Sequence, residues 1–251
     1  MADRHLTKRV RARGLPWLLL LELSTRPGQA VDFGGSLALT SDYIYHGVSE
    51  SDGRAAAQAD VHADDGGTFL GVWGSMRDNS LDPYADYDVE IYLGHRFDLS
   101  STWSAALSAR GHYFVGGNQD EGSADYQEIT ASLTYLDRWT LSASVIPNAV
   151  HYWYEEHLSR SPAWIADTTG QWLVYAAGLF VTGGAGYYYA TRTGPGIAAG
   201  GGYAYGNAGL AFERGRWRVD VGYFLTQSKA RLLLPYPIPA DRVAGTLIWR
   251  F

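Results

Sequence analysis

Charged side chains alternate with apolar ones along two neighbouring stretches in the first half of the chain. In the first stretch, YADYDVEIYLGHRF, Asp86, Asp88 and Glu90 fall on one face if the backbone is extended. Arg110 and His112 share a face of the next stretch in the same way. Acids and bases on adjacent strands either form stabilising ion pairs or create an electrostatic constriction that selects solutes by charge. Both roles are compatible with these residue types.

A second charged pattern lies near the C-terminus, where Arg218, Asp220 and Arg242 occupy one face of two alternating stretches whose other face is mainly apolar. In a membrane barrel the apolar face meets lipid, and a charge on that face is costly. The charged face is therefore expected to line the lumen. The predicted pore-lining residues are Asp86, Asp88, Glu90, Arg110, His112, Arg218, Asp220 and Arg242.

Two other polar stretches contain metal-ligand residue types. The stretch 151–157, HYWYEEH, has two histidines and two glutamates, but their spacing matches neither a helical zinc motif nor a calcium loop. A solvated surface loop is the favoured interpretation. Residues 49–52 together with Asp42 could coordinate a cation, although a plain polar turn is favoured there. No metal site and no cofactor are expected.

A hydrolase is a third possibility, because small membrane barrels include lipid-modifying enzymes built from Ser, His and an acid or Asn. Ser75, Ser108, His112 and Asp125 supply suitable residue types. However, no nucleophile elbow or ordered triad singles out one serine. The sequence therefore favours a protein that is not an enzyme.

The elements that must position these residues are strands, as the final stretch DRVAGTLIWRF illustrates. Val243, Leu247 and Trp249 fall on one face, and Arg242 and Arg250 fall on the other. The stretch ends in an aromatic residue and so resembles the last strand of bacterial outer-membrane barrels. In those barrels the final residue belongs to the signal that the barrel assembly machinery recognises. The corresponding residue here is Phe251.

From Phe33 onward the chain divides into about twelve extended segments, separated by alternately short and long connections. The predicted segments are 33–46, 54–64, 68–78, 84–98, 101–115, 124–137, 138–151, 170–181, 183–192, 203–213, 216–227 and 241–251. One short turn is predicted at Thr182–Gly184, and the longest loop at 152–170. This alternation predicts an all-β fold, a transmembrane up-and-down antiparallel β-barrel of about 12 strands.

Two further sequence patterns concern the lumen and the barrel ends. The segments 170–181 and 183–192 are apolar on both faces, so their inner side is expected to pack against a loop or a constriction. Aromatic residues near strand ends are expected to form interfacial girdles. The predicted girdle residues are Trp73, Trp103, Trp139, Trp217 and Trp249, with Tyr43, Tyr45, Tyr113 and Tyr187 to Tyr189.

The composition agrees with a barrel. The chain of 251 residues contains 30 Gly, 18 Tyr and 9 Trp, a strand-and-turn composition, and its mean hydropathy is −0.18. No apolar run reaches the roughly 18 residues that a transmembrane helix needs. Cysteine is absent, which excludes disulfides and thiolate metal sites.

The N-terminus has the features of a secretory signal. A basic region with Lys8 and Arg9 precedes an apolar stretch at 15–23 and a small-x-small site at 28–30. Residues 1–30 are therefore predicted to be a signal peptide and residues 31–251 the barrel domain. The net charge of the full chain is −6 and becomes more negative without the basic signal, which argues against nucleic acid as a partner.

Three stretches together resemble a known family. They are LTSDYIYHGVSESDG at 39–53, Gly-Val-Trp-Gly-Ser at 71–75 and the alternating stretch at 86–94. They resemble the TorF family, bacterial proteins that carry a Gly-Val-Trp signature and are classed as porins from their architecture. His46 occupies a position where many members have Arg. The resemblance implies a barrel in the bacterial outer membrane.

These patterns predict a narrow passive channel for small polar or ionic solutes in the bacterial outer membrane. The alternative functions are a closed barrel whose long extracellular loops bind a ligand or partner, and a lipid-modifying enzyme. The expected partners are outer-membrane lipid, the barrel assembly machinery and a small-solute permeant, with no nucleic acid.

Overall fold

The computed structural model describes most of the chain beyond the predicted signal peptide. Residues 1–30, and with them the predicted signal peptide, lie outside the described residues, as does most of the HYWYEEH stretch. The described ranges are 31–77, 85–116, 124–152, 158–175, 177–191, 200–233 and 238–251.

In the described part of the chain, twelve long strands close an antiparallel barrel, which confirms the predicted fold class. The barrel strands are β1 (Asp32–Thr40), β4 (Ala56–Asp65), β5 (Thr68–Met76), β6 (Tyr87–Asp98), β7 (Trp103–Val115), β8 (Tyr126–Tyr135), β9 (Trp139–Tyr152), β10 (Leu158–Tyr175), β11 (Leu179–Ala190), β12 (Gly201–Arg214), β13 (Trp217–Thr226) and β15 (Asp241–Arg250). The remaining elements are the short strands β2 (Ile44–Tyr45), β3 (Val48–Ser49) and β14 (Ile238–Pro239) and the helix α1 (Ala230–Leu233). Among the described residues, no helix is long and apolar enough to cross a membrane.

The barrel closes between its first and last strands. β1 pairs with β15 from Ser36 opposite Arg250 to Thr40 opposite Thr246. At the end of this seam, the backbone groups of Phe251 and Gly35 exchange two hydrogen bonds of 3.1 and 3.2 Å. Closure pairs the main-chain groups of both edge strands, as a barrel in a membrane requires.

Side chains alternate between an apolar outer face and a polar inner face, as the sequence predicts. On β6, Ile91 and Leu93 are exposed on the outside, whereas Asp88 and Glu90 are buried inside the barrel. On β15, Val243 is exposed on the outer face in the same way. The outer face of this barrel is therefore the apolar surface expected to contact lipid.

The predicted boundaries of two strands are wrong. Thr182–Gly184 lies within β11, the tight turn falls near Gly178, and most of the predicted loop at 152–170 belongs to β10. The Thr-Gly-Gly sequence indicated a turn because glycine favours turns. Here Gly184 instead lies on the inner face of β11, where a Cβ atom would lie only 2.9 Å from the side chain of Asn207.

Exposed aromatic residues surround the end of the barrel where the short turns lie. Trp103 packs against Tyr135 with 4.7 Å between ring centroids, and Trp217 lies 6.4 Å from Trp249. Trp139 is also exposed on the outer surface. These residues form the predicted girdle at that end.

Trp73 does not belong to this girdle, contrary to the prediction. It is buried on the inner face of β5, where its ring centroid lies 5.4 Å from that of Tyr43. Tyr43 and Tyr45 are also inside the barrel, and Tyr188 is buried between its exposed neighbours. An aromatic residue near a strand end meets lipid only if its position in the strand faces outward.

The reason for these inward aromatics is a connection that folds into the lumen. Residues 41–55, between β1 and β4, are termed here the lumen loop. Within it, β2 and β3 form a hairpin whose two-residue turn is His46-Gly47, both with positive φ (43° and 80°). Such a turn suits the twist of a hairpin. β14 pairs with β3 and completes a small three-stranded sheet.

Apolar contacts hold the tip of the lumen loop against the barrel wall. Val48 packs in one cluster with Ile165, Tyr188 and Tyr203. Tyr188 belongs to the predicted segment that is apolar on both faces, so the expectation that its inner side packs against a loop is confirmed. The predicted first strand, 33–46, ends earlier than expected, at Thr40.

Candidate lumen site

One charged cluster lies on the inner face of three consecutive strands. The alternation on β6, β7 and β8 places Glu90 opposite His112, and Arg110 opposite Glu128. An Nη1 atom of Arg110 lies 2.9 Å from Oε2 of Glu90. The Nδ1 atom of His112 lies 3.5 Å from a carboxylate oxygen of Asp88 and 3.5 Å from one of Glu90. Four of the predicted residues therefore meet in a single cluster.

Two tyrosines of the lumen loop reach this cluster. The hydroxyl of Tyr43 donates to Oδ2 of Asp88 at 3.0 Å, and the hydroxyl of Tyr45 donates to Oε2 of Glu128 at 2.8 Å. Burial raises the pKa of both tyrosines well above its usual value, and the nearby carboxylates raise it further. Both hydroxyls therefore keep their protons and act as donors.

His46, at the tip of the lumen loop, connects this cluster to the opposite wall. Its Nε2 atom lies 3.6 Å from Glu128, and its Nδ1 atom lies 3.1 Å from the hydroxyl of Tyr205 on β12. Its main-chain oxygen accepts a hydrogen bond of 3.0 Å from Tyr203. Because the loop bonds to β8 and β12, it spans the lumen and narrows it.

The base of the lumen loop is held by a buried carboxylate. Oδ1 of Asp42 accepts hydrogen bonds from the hydroxyls of Ser49 and Ser51 and from the main chain of Gly53. The other oxygen lies 3.5 Å from the guanidinium of Arg242. These bonds make the stretch a polar turn, and they place Arg242 beside the loop rather than with the other predicted residues.

Arg218 and Asp220 belong to a second cluster, near the short turns. Arg218 is fully buried and donates from Nε and Nη2 to the two oxygens of Asp220, each at 2.7 Å. Its Nη1 atom reaches Gln171 at 3.2 Å and Glu213 at 3.4 Å. Glu213 is also bonded to Arg250 at 3.0 Å. This network joins β10, β12, β13 and β15 across the inside of the barrel.

Asp86 is separate from both clusters. It directly precedes β6, at the rim where the long connections lie, and its main chain bonds to Arg77 and Val115. The eight predicted residues thus occupy four places: four are in the first cluster, two are in the second, Arg242 supports the lumen loop and Asp86 lies at the rim.

The sequence analysis missed three residues that complete the site, namely His46, Glu128 and Tyr205. Glu128 lies on the inner face of an alternating strand, so its position was available from the pattern used for Arg110. The His-Gly pair between two short apolar runs is a hairpin signal that would have placed His46 at a turn. Tyr205 carried no signal of its own, because its role depends on a contact between residues 159 positions apart.

The residues proposed for a hydrolase do not assemble into a triad. The hydroxyl of Ser75 bonds to Gln58 and to a main-chain oxygen, and Ser108 lies on the wall of a lumen cavity. Within the described residues, neither serine hydrogen-bonds to His112. Asp125 accepts a hydrogen bond from the main chain of Phe114 and is not bonded to His112. The geometry therefore gives no support to nucleophilic catalysis by these residues.

A cavity lies inside the barrel beside the lumen loop. Its volume is about 860 Å³, including space open to solvent, and its lining includes Tyr45, His46, Arg110 and Glu128. Hydroxyl and amide side chains from β7 to β12 form much of the remaining wall. A second cavity of about 560 Å³, bounded by Glu90 and by the base of the loop, lies on another side.

Residues 24–157, more than half of the chain, match the sequence model of the Gcw_chp family, which is described as bacterial proteins of unknown function. The chain belongs to the Gcw_chp family. The matched region contains the lumen loop and β6, β7 and β8, which are the elements that form the first charged cluster. The name TorF and the porin activity attached to it remain expectations. No curated protein matches the sequence.

Solved structures resemble this Gcw_chp protein in fold. The NanC porin superposes with a TM-score of 0.54 at 8% identity, over 86% of this chain and 98% of that one. An outer membrane channel from Pseudomonas putida F1 superposes with a TM-score of 0.51 at 9% identity, over 91% and 100%. At such low identity the likeness establishes an outer-membrane barrel fold for the Gcw_chp chain and nothing about its substrate.

Proposed function

We propose that this protein is an outer-membrane channel for small polar or ionic solutes and is not an enzyme. The observation that carries the proposal is a cavity of about 860 Å³, with charged and hydroxyl side chains among its lining residues, inside a closed barrel with an apolar outer face. An apolar exterior suits lipid, and a polar lumen suits water and solutes. The predicted signal peptide is consistent with export to the outer membrane.

In this proposal the lumen loop forms the constriction. Solutes pass beside the loop, between the walls of the two cavities, and the charged side chains bias which of them enter. Arg110 and Glu128 line the larger cavity, and Glu90 and Arg110 line the smaller one. Asp86, Asp88, His112, Arg218, Asp220 and Arg242 are proposed to contribute to the field along the pore, Asp86 at its entrance.

Single-channel recording in planar lipid bilayers tests the proposal. The purified protein is expected to give discrete conductance steps at both polarities. A variant in which residues 43–53 are replaced by a short Gly-Ser linker is expected to give larger steps, because the constriction is removed. A folded wild-type barrel that conducts no current would contradict the channel proposal.

A second candidate, a closed barrel that binds a ligand, has one observation in its favour. His46 attaches the lumen loop to two opposite walls, which suits a fixed plug as well as a constriction. This candidate predicts no conductance from the wild type and full conductance from the linker variant. The two candidates are therefore separated by the wild-type recording alone.

Phe251 is proposed to be recognised by the barrel assembly machinery, since it is exposed at the seam that closes the barrel. Deletion of Phe251 is expected to lower the amount of folded protein in outer-membrane fractions. Refolding of the same variant from urea into detergent is expected to proceed normally. Equal outer-membrane levels of the wild type and the deletion variant would refute this role.

A further inference from the structure

We propose that Asp88, Glu90 and His112 form a binding site for a divalent transition-metal ion. The Nδ1 atom of His112 and one carboxylate oxygen from each acid lie within 4.8 Å of one another, and all three side chains are buried. The site does not depend on the channel proposal, because it requires only the folded barrel. The sequence analysis expected no metal here, since the ligands come from two strands and share no metal-binding motif.

The distances in the cluster suit an ion better than direct hydrogen bonds. Nδ1 of His112 is 3.5 Å from Oδ2 of Asp88 and 3.5 Å from Oε1 of Glu90. A charge-assisted hydrogen bond is normally shorter, about 2.7–2.9 Å. By contrast, two ligands bound tetrahedrally at about 2.1 Å from zinc lie about 3.4 Å apart. The three groups are therefore spaced as ligands around a shared ion.

The lumen loop orients His112 for this role. Nε2 of His112 lies 3.4 Å from the hydroxyl oxygen of Tyr45, whose own proton is donated to Glu128. In the contact with His112 the Tyr45 oxygen can therefore act only as an acceptor, so Nε2 must carry the hydrogen. In a neutral imidazole this leaves the lone pair on Nδ1, which points toward the two carboxylates and is available to coordinate a cation between them. An oxygen that holds the distal N–H is the usual support for a metal-binding histidine.

Asp88 provides an independent indication of a missing ligand. The residue is only 3% exposed, and Oδ1 has no hydrogen-bond partner within the described residues. A buried carboxylate oxygen without a partner is unfavourable. The other oxygen, Oδ2, is held by the hydroxyl of Tyr43. A metal ion bound to Asp88 would neutralise the unpartnered oxygen or coordinate it directly.

The local charge also favours a dication. Asp88, Glu90 and Glu128 carry three negative charges, against one positive charge on Arg110. Arg110 bonds to Oε2 of Glu90 and leaves Oε1 on the side of His112. One imidazole nitrogen with carboxylate oxygens selects zinc and similar first-row ions rather than calcium, which prefers oxygen ligands throughout. A bound ion would join β6 to β7 and, through Tyr43 and Tyr45, secure the lumen loop.

The test uses untagged protein purified in detergent and stripped of metal with a chelator. Calorimetric titration with zinc chloride is expected to show one ion bound per chain. Replacement of a ligand, in Asp88→Asn or His112→Gln, is expected to weaken binding by about tenfold or more. The control Asp167→Asn alters another lumen carboxylate, which bonds to Tyr205 and not to the cluster. Its zinc affinity is expected to match the wild type.

X-ray absorption of the zinc-loaded wild type keeps the test decisive even if a variant fails to fold. The proposal requires one imidazole nitrogen and two or three oxygens at about 2.0–2.1 Å. The absence of stoichiometric zinc binding would overturn the proposal. So would a zinc shell with two or more imidazoles, or an affinity unchanged in folded Asp88→Asn and His112→Gln.

Discussion

Two buried charged clusters in the described part of the barrel both combine arginine with acidic side chains, and they differ in how completely their charges are paired. In the cluster near the short turns, the guanidinium of Arg218 donates from all three nitrogens, and Asp220 binds two of them at 2.7 Å. In the cluster beside the lumen loop, His112 lies 3.5 Å from two acids, and one oxygen of Asp88 has no hydrogen-bond partner within the described residues.

This difference indicates two roles for inward charges in one barrel. Short bonds within β13, and longer ones from Arg218 and Arg250 to neighbouring strands, pair the charges near the short turns, which is a structural role. Long contacts, a cavity and an unpartnered oxygen leave the other cluster able to interact with a solute or an ion. The alternation of residues along a strand predicts that a charge faces inward, but it does not predict which of the two roles follows.

The largest effect is expected from removal of Arg218, the positive charge at the centre of the cluster near the short turns. Arg218→Met keeps much of the side-chain volume but leaves Asp220 buried without its cation, whereas Glu213 keeps its bond to Arg250. Loss of one partner from a buried pair costs about 3–5 kcal/mol, so the free energy of unfolding should fall by that order. Urea unfolding in lipid vesicles, followed by tryptophan fluorescence, measures it. An unchanged unfolding midpoint would contradict the structural role.

The next effect concerns the turn of the lumen loop. Gly47 has a φ of 80°, and a Cβ atom there would overlap Tyr205 and Thr226. Gly47→Ala should therefore displace the loop, with a loss of about 2–3 kcal/mol and an increase in conductance. Gly66→Ala is the matched control, because Gly66 also has a positive φ (62°) but has nothing within 4 Å. Equal conductance in both variants would argue against the loop as a constriction.

The fold was largely predictable from the sequence, because the alternation of polar and apolar residues along each strand identifies its inner and outer faces. The alternation around Glu90 assigns both faces of β6 without knowledge of any other strand. The error at Thr182–Gly184 arose because the sequence does not distinguish a glycine that packs closely against a neighbouring strand, such as Gly184 beside Asn207, from a glycine in a turn. Only the three-dimensional neighbours distinguish the two cases.

The site was predictable only in part. Asp88, Glu90, Arg110 and His112 were found because alternation places them on the charged faces of two neighbouring strands. The lumen loop escaped prediction, since the inward fold depends on contacts such as that of Val48 with Tyr188 on the far wall. Distant contacts of this kind leave no periodic pattern in the sequence.

Ion selectivity provides a smaller and more specific contrast. Arg110→Ala removes a positive charge from the cavity wall, so the pore should become more cation-selective, by about fivefold for an interaction of about 1 kcal/mol. Glu90→Gln should shift the selectivity in the opposite direction. Reversal potentials in a tenfold gradient of KCl measure both shifts. Unchanged selectivity together with strongly impaired folding would mean that this cluster is structural, like the one around Arg218.

The smallest effect is expected from a single hydroxyl of the lumen loop. Tyr45→Phe removes the donor to Glu128 and the acceptor that lies 3.4 Å from Nε2 of His112, but Glu128 keeps a hydrogen bond of 3.0 Å from Thr130 and the contact with His46. Because no carboxylate is left without a partner, the loss in unfolding free energy should be about 0.5–1.5 kcal/mol. Tyr113→Phe, on the exposed outer face, should cost less. If Tyr45→Phe lowered the free energy of unfolding as much as Arg218→Met, the cluster beside the lumen loop would be as tightly bonded as the cluster near the short turns.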